Sequence, residues 1–178
     1  MDNARFGDVH VELQVGNIVA QPDIDAIVNA ANAELQTGGG VAGAIHRAAG
    51  RGLARECAPM DPIAPGECVI SGGHDLPNPH VLHCLGPVYG RDEPPDELLA
   101  ACYRNALRLA DEHGLRSVAF PAISTGAFGY PTGPAAEVAL STVAEVAPSL
   151  ASVRLVRFVL FDQRSLDAHR QALATVVS

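Results

Sequence analysis

A chain of 178 residues, 48% of them apolar, is sized for one domain with a sizeable core and is not a disordered polymer. Its 20 acidic and 12 basic side chains leave a formal charge of −8, which argues against general nucleic-acid binding, because holding a phosphate backbone rests on Lys and Arg. No apolar run approaches the ~20 residues of a membrane span, and Met1-Asp2-Asn3-Ala4-Arg5 does not open a signal core, so a soluble, cytoplasmic protein is expected.

Val9, Val11, Leu13 and Val15 alternate with polar residues, predicting a strand with one buried face. Ala26-Ile27-Val28 is apolar on all sides, as in a central strand covered by helices. From Val41 the period changes: Val41, Ile45, Ala48 and Gly52 mark a helical face. Val69-Ile70 and the run from Val81 to Leu85 predict two more strands around a turn-rich stretch. After Pro94-Pro95 a helix carries Leu98, Leu99, Cys102, Ala106 and Leu109, with Gly114 placed to end it. Val118-Ala119-Phe120 is the next strand. Thr132 can cap a helix that stops before Pro148. The last strand runs from Val153 to Phe161, and Ser165 is placed to cap a final helix. Strands alternating with helices predict an α/β domain, and two strands before any clear helix predict a mixed sheet.

Cys57, Cys68, Cys84 and Cys102 form no C-x-x-C pair, which argues against zinc and thioredoxin chemistry. They read as small buried hydrophobes in a reducing compartment. His80 and His83 sit on opposite faces of a strand, so no metal site is expected there.

Two loops follow strands and lead into helices. One spans residues 29–40 and contains Asn29, Asn32 and Gly38-Gly39-Gly40; the other spans 121–133 and contains Ser124-Thr125-Gly126-Ala127-Phe128-Gly129. Ligands of α/β sheets bind at such strand ends. Glycine lets backbone approach a ligand closely and leaves amides free for phosphate. Neither loop is a P-loop, and the chain has no lysine. A diphosphate would therefore be held by amides and helix dipoles. The side-chain amides of Asn29 and Asn32 suit sugar hydroxyls, Phe128 and Phe161 suit stacking on a base or sugar, and His46 lies one turn into the helix after the glycines, where it could look back at a ligand.

These residues resemble a known family. Asn29-Ala-Ala-Asn32 followed by the run from Gly38 to Gly50 is similar to the signature of macrodomains, in particular the MacroD-like branch. His83-Cys-Leu-Gly-Pro87, the run from Phe120 to Pro131, Gly16-Asn-Ile18 and Phe161-Asp162 resemble its other motifs, in the right order and over roughly the whole chain. The resemblance implies a single macrodomain over residues 1–178, a three-layer α/β/α fold with a central mixed sheet of about six strands, and ADP-ribose bound at the strand ends. Carried over by motif, Asn17 and the Ile18 amide meet the adenine and Phe161 stacks on it. The segment from Ser124 through Thr125, Gly126 and Ala127 to Phe128 wraps the diphosphate, with Val41 at the helix start opposite. Asn32, Gly39 and Gly40 hold the distal ribose against Phe128.

The resemblance also implies hydrolysis of mono-ADP-ribosyl esters on acidic side chains, or of O-acetyl-ADP-ribose. Asn32 would orient the ribose and His46 would assist proton transfer. Modified proteins and the free ligands would be its partners, with no metal or cofactor, acting as a monomer. Two positions depart from the pattern. Asn17 stands where Asp is common. Ala42 stands where many MacroD-like hydrolases carry an Asp assigned to catalysis, although viral macrodomains counted as hydrolases share Gly-Gly-Gly-Val-Ala-Gly. A non-catalytic ADP-ribose reader is the alternative, and a plain nucleotide-binding scaffold a third.

Overall fold

The computed structural model describes residues 2–178. Its strands are β1 (Asn3–Phe6), β2 (Val9–Val15), β3 (Ala26–Ala30), β4 (Cys68–Gly72), β5 (His80–Cys84), β6 (Ser117–Phe120) and β7 (Leu155–Leu160). Its helices are α1 (Gly40–Ala49), α2 (Arg51–Cys57), α3 (Pro95–Glu112), α4 (Thr132–Val146) and α5 (Gln163–Val177). The strands form one sheet in the order β1-β2-β7-β6-β3-β5-β4. The five inner strands are parallel, and β1 and β4 add antiparallel edges.

The side chains divide by the two-residue period of a strand. Ala26, Val28, Leu82, Val118, Phe120, Val156 and Phe158 face a core built with α3, α4 and α5. Ile27, Val81, Ala119 and Val159 face a second core built with α1 and α2. The central strands are apolar on both sides because both faces are covered. This is the expected three-layer α/β/α architecture.

Several local expectations change. The sheet has seven strands rather than about six, because the polar segment Asn3–Phe6 pairs with β2 as an edge hairpin. Its burial is too slight to leave an apolar period. Val15 does not join the buried face of β2; it is 46% exposed where the strand leaves the sheet. The predicted helix from Val41 to Gly52 is two helices, broken at Gly50. Its buried face is Ala42, Ile45, His46 and Ala49 rather than Val41 and Ala48. Alanine and glycine on every side of α1 left the face undetermined by period.

Thr132 is not a cap but the first residue of α4, with no side-chain bond at that end. Ser165 lies inside the first turn of α5, where its amide donates to the true cap, Asp162 Oδ1, at 2.9 Å. Gly114 ends α3 as expected. With φ of +68° it lets Leu115 N bond Ala110 O at 3.0 Å and its own N bond Asp111 O at 3.0 Å, the double closure of a helix C-terminus. The cysteine expectation holds for Cys57 and Cys102, which are free and buried, but not for the other two. Cys68 and Cys84 oppose each other across β4 and β5, with Cα atoms 4.2 Å apart, and form a disulfide. Among the described residues no helix is long and apolar enough to cross a membrane.

Candidate functional site

The parallel strands β2, β7, β6 and β3 all end at one edge of the sheet, and the chain leaves each of them into a wall of the same cleft. Its volume is about 810 Å³. Gly16, Asn17 and Ile18 come from the turn after β2, Gly40 and Val41 from the start of α1, Pro121, Ala122, Thr125 and Gly126 from the loop after β6, and Phe161, Asp162, Arg164 and Ser165 from the turn into α5. A shallower groove of about 310 Å³ between α3 and α4 is lined by Asp96, Glu97, Glu137 and Glu145 and shares no lining residue with the cleft.

Three helices start at the cleft, since Gly40, Thr132 and Arg164 lie in the first turns of α1, α4 and α5 and all line it. Neither α1 nor α4 has a side-chain cap or an acidic residue in its first turn. Their leading N–H groups are unclaimed by side chains, and their positive dipole ends face the cavity. Such an end is a ready anion site. α5 differs, because Asp162 already caps it.

The predicted residues divide. Asn17, Ile18, Gly40, Val41, Thr125, Gly126 and Phe161 line the cleft. Phe161 is 92% exposed, a flat apolar ring with nothing packed over it. The Asn17 side chain shapes its own turn, with Oδ1 accepting from Val19 N at 3.1 Å. Asn32, Gly39, Ala127 and Phe128 belong to the two loops but lie outside the cavity wall. Asn32 ties its loop: Nδ2 donates to Gln36 O at 2.8 Å and Oδ1 accepts from Gln36 N at 3.0 Å. One N–H and one lone pair remain for a ligand. Phe128 is half-buried against the α1–α2 core, and its carbonyl accepts from Tyr89 N at 2.8 Å.

Three predicted side chains turn inward. Ser124, with φ of +69°, has a buried hydroxyl without a partner. That hydroxyl sits where Gly86 lacks a side chain: a Cβ on Gly86 would lie 2.1 Å from it. Only the backbone of Ser124 can serve a ligand while this packing holds, and the left-handed conformation stores strain of the kind found at functional loops. Asn29 does not reach the cleft; it is 1% exposed, and its Nδ2 donates to His83 Nδ1 at 3.0 Å. His46 does not look toward the cleft either. It is 6% exposed, on the α1 face that packs inward, with its ring 6.5 Å from that of His83.

His83 is the hub of this interior. With Nδ1 accepting from Asn29, its Nε2 carries the proton and donates to Ser71 Oγ at 2.8 Å, and the Ser71 hydroxyl donates in turn to Gly72 O at 3.0 Å. Burial, with His46 nearby, pushes the His83 pKa down to about 4, and burial also lowers that of His46. Both rings are neutral at pH 7. Among the described residues no three metal-ligating side chains converge.

Sequence reasoning missed Arg164 and the cleft-facing position of Ser165, whose buried hydroxyl has no partner. Among the described residues Arg164 is the one cation of the cleft wall, and its sequence context carries no signal beyond following the last strand.

The macro domain profile matches residues 28–139. A macro domain-containing protein of Chlorobaculum tepidum is 49% identical over 152 residues, covering 85% of this chain and 88% of the relative. The O-acetyl-ADP-ribose deacetylase of Klebsiella pneumoniae is 43% identical over 172 residues, covering 94% and 98%. Among solved structures, the Oceanobacillus iheyensis macrodomain with ADP superposes with a TM-score of 0.94 at 38% identity, covering 98% of this chain and 95% of that one.

Proposed function

The chain belongs to the macro domain family, and from that premise we propose that it binds ADP-ribose in the cleft and hydrolyses ADP-ribosyl esters there. One observation carries the binding: two helix N-termini without side-chain caps open into one cavity lined by glycine loops, in a chain without lysine. A diphosphate seated between α1 and the 121–126 segment meets amide donors and two positive dipole ends. The base then lies between Phe161 and the turn of Asn17 and Ile18, and the distal ribose points toward Asn32.

The relative named as an O-acetyl-ADP-ribose deacetylase supports an ester of the distal ribose as substrate. In a glycosyl ester the bond from C1″ to the carboxylate breaks, the carboxylate leaves with the electron pair, and water oxygen bonds C1″ and then loses its proton to solvent. The route is oxocarbenium-like with a good leaving group. Ala42 offers no carboxylate, and His46 is turned into the interior, so neither serves as base. Catalysis rests on holding the ribose and a water against main-chain groups and the ligand's own phosphate, with Asn32 orienting the ribose.

The reader alternative shares every binding group, and it is favoured because the carboxylate that lines the cleft, Asp162, is taken up in capping α5. Single-turnover release of ADP-ribose from a protein modified on an acidic side chain, followed by mass spectrometry, separates the two. We expect wild-type release, a change of no more than about tenfold in Ala42→Asp, and a larger loss in Asn32→Ala. An inert wild type beside an active Ala42→Asp makes the protein a reader.

A further inference from the structure

Resting on the reading that the base lies against Asn17 and Ile18, we infer that Gln21, itself gripped by Arg157, is a positioning residue that aims the Ile18 amide at the base. The peptide joining residues 17 and 18 is planar, so its C=O and N–H point to opposite sides. Whatever pins the Asn17 oxygen therefore sets the direction of the Ile18 N–H. Two donors pin it: Ala20 N at 3.0 Å and Gln21 Nε2 at 3.0 Å. The Ile18 N–H has no partner among the described residues, and Ile18 lines the cleft.

Gln21 can hold this position because it is held in turn. It is 4% exposed. Its Oε1 accepts from Arg157 Nη1 at 3.0 Å, and its backbone oxygen accepts from Asn78 Nδ2 at 2.7 Å. Arg157 stands opposite Glu12 in the β2–β7 register and donates to it at 2.9 Å, while a two-pronged pair at 2.9 Å ties it to Asp23. The chain of contacts runs from the sheet through Arg157 and Gln21 to one peptide at the cleft. An apolar residue at position 21 would give up both the acceptor for Arg157 and the donor to Asn17, whereas glutamate would keep the first and lose only the second.

An aimed N–H requires an acceptor. Adenine presents a ring-nitrogen lone pair at N1, where hypoxanthine presents N1–H. The strut therefore makes base identity readable. The test is titration calorimetry of wild type, Gln21→Leu and Gln21→Glu with ADP-ribose and with its hypoxanthine counterpart, alongside thermal melts. Gln21→Glu still pairs with Arg157 but cannot donate to Asn17, so it reads the effect even if Gln21→Leu fails to fold. Wild type is expected to prefer adenine by about tenfold or more. Both variants are expected to bind the hypoxanthine ligand within about threefold of wild type and to keep less than about a threefold preference. Variants that keep the wild-type preference, or that lose both ligands equally with a lowered Tm, overturn the inference. A wild type that binds both ligands equally overturns the placement of the base beneath it, and one that binds neither overturns the proposed function itself.

Discussion

Gly126→Glu separates the stability of the fold from the binding of a diphosphate. A Cβ built on Gly126 meets nothing within 4 Å, and the residue is exposed in the cleft wall. The free protein therefore accommodates the side chain, and its stability is expected to change by no more than an ordinary surface substitution does, about 0.5 kcal/mol. The ligand is not so tolerant. A carboxylate near 4 Å from one phosphate charge costs about 1 kcal/mol in bulk water and about 4 kcal/mol near a protein surface. With two phosphate charges in reach, the loss is on the order of 2–8 kcal/mol before any steric clash. Binding should become undetectable in a standard titration. Gly126→Gln carries the bulk without the charge and should lose less, and the difference between the two variants should shrink as salt rises. A Gly126→Glu protein that melts normally and binds ADP-ribose within about threefold of wild type refutes the diphosphate placement.

Phe161→Ala removes a ring that is 92% exposed, so melting should not change while ADP-ribose affinity falls by ~1–3 kcal/mol in calorimetry. Gly86→Ala behaves in the opposite way: its Cβ would lie 2.1 Å from Ser124 Oγ, so the 121–133 loop must shift, and both Tm and affinity should drop. Stability should also fall with acid. His83 in the native state has a pKa of about 4, below its unfolded value near 6.5, so the unfolded chain binds the extra proton between these limits. Denaturation followed by circular dichroism should show stability fully present above pH 6.5 and lost progressively toward pH 4, by on the order of 3 kcal/mol. His83→Gln should flatten that slope.

The alternation of apolar residues in β2, the all-apolar cores of β3 and β6, and the turn signals between them specify an α/β sandwich because burial on one face or two writes its period directly into the chain. The cleft residues contributed by backbone were legible for a related reason. Glycine runs at strand ends mark close approach whatever the surrounding side chains do, and Gly40, Val41 and Gly126 stand where the motif places them. Phe161 was legible because an aromatic ring at a strand end has nowhere to pack.

Side-chain direction was decided by the tertiary structure. Helix α1 is rich in small residues, so its sequence does not say which side packs, and only its seating on β3 and β5 turns Ala42 and His46 inward. Asn29 and Asn32 look alike in sequence. Asn29 pairs with His83 because β3 and β5 are neighbours in the sheet, whereas Asn32 has left the strand and ties Gln36 in its own loop. Arg157 and Gln21 lie 136 positions apart and are joined only because β2 and β7 are neighbours in the sheet. Composition and period determine what must be buried and where the chain must turn; which polar groups meet across the sheet is a property of strand order, and strand order is set by long-range packing that no local window contains.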